Sequence, residues 1–113
     1  MNPMLFPTQT RLKVFAEVAA GEVRWFHFVT PEARNRCTDR VRTAEIRAMA
    51  EAGLVAIPDR DPVKSYVTVV STEMGKAWAA LEPKSRAELD AWHAAWVGPD
   101  STSPEPGPEG GAA

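Results

Sequence analysis

The apolar residues of this chain follow a period near 3.6 in four places and a period of two in three, with glycine, proline or a short polar run at each change. A first helix is expected from a cap at Thr8 or Thr10 to about Ala20. Its core stripe is Leu12, Phe15, Ala16 and Ala19, Val14 and Val18 lie on a second flank, and Gly21 ends it. Val23 to Phe28 is β-branched and aromatic and reads as a strand. Val23, Trp25 and His27 share one face and Arg24, Phe26 and Phe28 the other, and both faces are partly apolar. The central element is Arg42 to Val55, a short helix with Thr43 as its expected N-cap and Gly53 as its stop. Ile46, Met49, Ala50 and Leu54 make its inward row. The opposite side, extrapolated one turn upstream, carries Arg40, Ala44, Arg47, Ala48 and Glu51.

The segment Val29 to Val41 supports two readings. Thr30, Pro31 and Glu32 form a helix-start signal, which makes 31–37 a helix followed by a turn at Thr38 and Asp39. Yet Ala33 and Cys37 supply little apolar surface, which leaves open an extended, arginine-rich connection. Beyond the central helix, Val55 to Ile57 and Ser65 to Val70 are expected to form a hairpin around the polar turn 58–64, with Val67 and Val69 on one face. Ser71 or Thr72 caps a helix through Leu81. Ser85 to Glu88 is a capping box for a last helix to about Val97, with Leu89, Trp92, His93 and Trp96 on one side. Residues 98–113 hold no large apolar side chain and read as a disordered acidic tail.

The residues Thr43, Ala44, Ile46, Arg47, Met49, Ala52, Gly53, Leu54 and Val55, with Thr72 and Gly75 after the hairpin, give the chain a pattern that resembles the winged helix-turn-helix DNA-binding domains of bacterial and phage regulators. The resemblance covers roughly residues 8–80. It implies an α+β fold, a winged helix-turn-helix with a three-helix core and a β-hairpin wing, to which a C-terminal helix is added. The expected organisation is an N-terminal arm at 1–7, the winged-helix domain at 8–81, a C-terminal helix at 82–97 for packing or dimerisation, and the tail.

Charge refines that expectation. The formal net charge is −2, but residues 8–80 hold 11 Lys+Arg against 9 Asp+Glu, and residues 81–113 hold 2 against 6. A local basic patch, not the sum, decides nucleic-acid binding. The single cysteine, Cys37, has no partner for an internal disulfide. No signal peptide or membrane-spanning run is present, which leads to the expectation of a cytoplasmic protein without membrane association. His27, His93 and Cys37 make no metal-ligand spacing and no nucleophile or nucleotide-binding motif occurs, so no metal, no cofactor and no enzymatic activity are expected.

What the resemblance implies for function is a sequence-specific transcriptional regulator, a repressor, that binds double-stranded DNA with helix 43–52 in the major groove and the 58–64 wing on the backbone. Arg34, Arg36, Arg40 and Arg42 are assigned to phosphates, and Arg47 to a guanine, whose O6 and N7 a guanidinium meets bidentately. Thr43, Ala44 and Ala48 line the approach, and Arg60 and Lys64 sit near the wing tip. Leu89, Trp92 and Trp96 are candidates for a homodimer contact. The alternatives are a winged-helix module that docks on a protein partner, and an excisionase-like architectural DNA binder.

Overall fold

Thr8 lies in extended backbone and its side chain accepts the Arg11 amide, which starts α1 (Gln9–Ala19); Gly21, at φ +75°, turns the chain out of it. The computed structural model describes residues 4–96. After α1 come β1 (Val23–Phe26), β2 (Glu32–Asn35), α2 (Thr43–Glu51), β3 (Val55–Ala56), β4 (Tyr66–Thr68), β5 (Val70–Ser71), α3 (Glu73–Ala79) and α4 (Arg86–Ala95). The buried row of α1 is Val14, Phe15 and Val18, while Ala16 and Ala19 are exposed, so the helix is rotated from the stripe expected of it. The larger side chains win: burying a Val or Phe stabilises by about 1.5–3 kcal/mol, more than an alanine methyl offers.

The segment 31–37 is not a helix. Glu32 to Asn35 forms a strand antiparallel to β1, with Arg24 opposite Arg34 and Phe26 opposite Glu32. Its side chains alternate, Ala33 and Asn35 buried and Glu32 and Arg34 partly exposed. A period of two uses the two small or polar residues that a helical stripe here would have wasted. No helix-turn-helix pair therefore precedes α2. Thr43 is not its N-cap either: Arg42 holds that position without a side-chain bond. The Thr43 hydroxyl instead accepts the Ala33 amide at 3.0 Å, satisfying a donor on the edge of β2.

The expected hairpin is also divided. β4 joins β1, with Phe26 opposite Tyr66, and completes a three-stranded sheet in the order β2-β1-β4. The two residues of β5 pair instead with β3. Val67 and Val69 are buried as their alternation requires. One core, including Ile46, Met49, Leu54, Val69, Trp78 and Leu89, joins the helices to the inner face of the larger sheet.

The ends are tied to this core. Met4 is buried, the Trp78 indole N–H donates to the Leu5 carbonyl at 2.8 Å, and the Arg86 guanidinium donates to that of Met4 at 2.6 Å. Ser85 caps α4 by accepting the Glu88 amide, but Glu88 reaches back to the Lys84 amide and not to that of the cap. Leu89 is buried in the protomer's own interior, which removes it from any subunit contact. No helix among the described residues is long and apolar enough to cross a membrane. Met1 to Pro3 of the arm, Val97 and the tail at 98–113 lie outside the described residues.

Candidate nucleic-acid interface

α2 packs its inner row against α1, β2 and β3, which leaves its other side to solvent. Ile46 and Met49 are fully buried; Ala44, Arg47 and Glu51 are exposed, and Ala48 is half-buried. The outward face is thus slim along its middle, with one cation and one anion a turn apart. The Arg47 guanidinium carbon lies 5.7 Å from the centroid of the Trp25 ring, a cation–π contact that supports the side chain where it leaves the helix.

The four arginines ahead of α2 separate into two pairs. Arg42 is drawn inward to Glu17, with hydrogen bonds of 3.1 and 2.7 Å and both side chains 12% exposed. The Glu17 hydrogen bond is the largest cause of a guanidinium pKa raised above its ordinary value. Burial alone pushes the Glu17 carboxyl upward, but bonds from Arg42 and Asn35 and the charges of Arg42 and Lys13 outweigh it, so its pKa is lowered. Arg34 is held on the sheet by Glu32 at 2.8 Å and Asp39 at 3.3 Å. Arg36 and Arg40 are exposed, and neither side chain has an ion pair among the described residues.

The turn that presents this second pair is built on Asn35, the one fully buried polar side chain among the described residues. Its carbonyl oxygen accepts the amides of Cys37 at 2.7 Å and Thr38 at 2.9 Å, and its amide nitrogen donates to Glu17 and Glu22. Asp39 then takes a left-handed conformation, φ 62°, which Asp tolerates better than most residues. Neither Asn35 nor Glu17 is singled out by the sequence. The local signal for Asn35 is an Asx turn, Asn followed by a polar run, while Glu17 lies 25 residues from the arginine it binds.

Arg60 and Lys64 occupy the loop between β3 and β4, both exposed, with Lys64 5.8 Å from the centroid of the Tyr66 ring. The structure thus brings Ala44, Arg47 and Ala48 onto one face of α2, the helix that follows the Arg36 to Arg40 turn in the chain. It gives Arg34, Arg42 and Thr43 intramolecular partners. Trp92, half-buried, packs on the core and lies 5.7 Å from Trp96, ring centroid to centroid. Among the described residues no three His, Cys, Asp or Glu side chains come together as a metal site. No family model matches the chain, and no curated protein or solved structure matches it.

Proposed function

We propose that the protein is a sequence-specific DNA-binding regulator that reads duplex DNA with α2. The observation that carries this reading is the open outward face of α2, with Ala44 and Ala48 permitting close approach, Arg47 projecting from it, and, in the chain leading into it, Arg36 and Arg40, which have no ion pair among the described residues. A major groove about 12 Å wide admits one helix. Ala44 and Ala48 bring the backbone close to the base edges and offer methyl contacts to thymine. Arg47 leaves the Trp25 ring for guanine O6 and N7. Arg36, Arg40 and Arg60 neutralise phosphates, and Arg34, Arg42 and Thr43 hold the scaffold in shape. In a dimer, Trp92 of α4 and Trp96 just after it are the residues proposed to meet their counterparts; sedimentation of the wild type and the double alanine variant tests this.

The replacement of a first recognition-motif helix by β2 favours a second reading, a module that docks on a protein partner. A gel shift with genomic fragments, with and without competitor DNA, separates the two. Retention of particular fragments supports the regulator, and no retention at low salt supports the docking module. In the regulator reading, Arg47→Ala weakens the retained fragment's binding by about 1–3 kcal/mol and relaxes the preference at one base pair.

A further inference from the structure

The outer face of the β2-β1-β4 sheet, turned away from the helices, is neither a typical solvated surface nor part of the α2 interface. Residues alternating outward along β1 and just beyond it are Arg24, Phe26 and Phe28, and β4 adds Tyr66 opposite Phe26. The Phe26 and Phe28 rings are stacked at 5.2 Å, and Tyr66 lies 5.7 Å from Phe26. Phe28 is 52% exposed. The Arg24 guanidinium lies over the Tyr66 ring, 4.2 Å from its centroid.

The register adds a second observation. Arg24 stands directly opposite Arg34, and like charges in that relation destabilise a sheet. Arg34 is compensated by Asp39 and by Glu32, which stands opposite Phe26 on this face, whereas Arg24 has no ion pair among the described residues. Arg24, Phe26, Arg34 and Arg36 line one shallow pocket with Asn35 and Asp39. On the β4 side Asp59, Asp61 and Lys64 line a second pocket with Tyr66; on the β2 side Glu32 is paired with Arg34, and Arg36 has no ion pair among the described residues.

We propose that this face binds a single-stranded nucleic acid, its bases stacking on Phe28, Phe26 and Tyr66 and its phosphates meeting Arg24 and Arg36. Interleaved rings and guanidiniums match the alternation of base and phosphate, and stacking needs bases whose faces are free. A duplex hides those faces, and its major groove takes a helix or a two-stranded ribbon, not a three-stranded sheet. The two surfaces share Arg36 and are otherwise built from different residues, so the single strand makes no use of α2 itself.

The test uses the full chain and fluorescence anisotropy with labelled oligothymidylate and oligouridylate of about ten nucleotides, within the usual range of single-strand site sizes. A strand of the same length with abasic sugars is the comparison. Binding of the base-bearing strands at least tenfold tighter than the abasic one is expected, with Phe28→Ala and Tyr66→Ala each losing about tenfold. Oligodeoxyuridylate, which shares its base with oligouridylate and differs only in the sugar, completes the set, and the tighter of those two assigns DNA or RNA. Duplex binding is measured in parallel on the same proteins, and Phe28→Ala is expected to leave it unchanged, so failure of the duplex reading is seen separately. Phe28 is exposed enough for its alanine variant to fold, which unchanged thermal unfolding verifies. Equal affinity for the abasic strand, an unaffected Phe28→Ala variant, or no binding at low salt overturns the proposal.

Discussion

The hydroxyl of Thr72 donates to the carbonyl of Gly53 at 2.6 Å and accepts the amide of Gly75 at 2.9 Å, so one oxygen ends α2 and starts α3. The Thr72 amide also donates to the Leu54 carbonyl, closing the join. Removing the hydroxyl leaves an orphan first-turn amide and an unpaired carbonyl in a half-buried site. Thr72→Ala is expected to cost about 2 kcal/mol, a fall of about 10 °C in the unfolding midpoint. Thr72→Ser keeps the oxygen and is expected to recover most of that loss in the same melt.

Gly75 is required for a different reason. A Cβ there would stand 2.0 Å from the Leu54 carbonyl oxygen and 2.7 Å from a Phe15 ring carbon, and backbone on one side leaves no direction in which to yield. Gly75→Ala is therefore expected to destabilise by about 3 kcal/mol or more. At Gly53, whose φ is +83°, an added Cβ meets the flexible end of Met74 at 2.8 Å. Gly53→Ala pays mainly for left-handed backbone, about 1–2 kcal/mol. Chemical denaturation of both variants checks the order, and a Gly53 variant weaker than the Gly75 variant contradicts it.

The bond between Glu17 and Arg42 makes stability depend on acid. Glu17 has a lowered pKa in the folded chain, so its contribution is complete above the unfolded carboxylate value, near 4.3, and is lost as pH falls through the lower folded value. Unfolding curves taken from pH 7 down through that range are expected to show the loss. Glu17→Gln is expected to be less stable at pH 7 and to lose part of the acid dependence. Because the pair is largely buried, Arg42→Ala leaves a carboxylate without its partner and is expected to cost about 3 kcal/mol.

These links show what local pattern contains and what it lacks. The central helix, its inward row of Ile46, Met49 and Leu54, the glycine stop and the Thr72 cap are legible because each depends on neighbours within a turn. The strand at 32–35 competes with a local helix-start signal, and its outcome is decided by pairing with β1, by the Thr43 hydroxyl and by the Glu17 and Glu22 carboxylates that hold Asn35, all of which lie elsewhere in the chain. The same holds for the site. That Arg47 faces outward follows from helical phase, whereas which arginines are already held depends on Glu17 and Asp39, and no spacing rule identifies those partners. The outer sheet face is written in Val23 to Phe28 as a strand apolar on both sides, and only the placement of Tyr66 opposite Phe26 shows which side is exposed.

The division of the arginines gives the proposed duplex contact a quantitative signature. With Arg36, Arg40 and Arg60 on phosphates, log K for duplex DNA is expected to fall with log salt at a slope of about −3. Arg40→Ala removes one contact, so its slope is expected to be shallower by about 1 while the preferred sequence stays the same. Arg34→Ala acts on a side chain already paired to Glu32 and Asp39, and is expected to leave the slope within error. Arg47→Ala changes sequence preference with little effect on the slope. Measuring the four proteins against one duplex over a series of salt concentrations separates phosphate contact, scaffold and base reading. An Arg34 variant that flattens the slope as much as the Arg40 variant would show that the Glu32 pair opens on binding, and would return Arg34 to the interface.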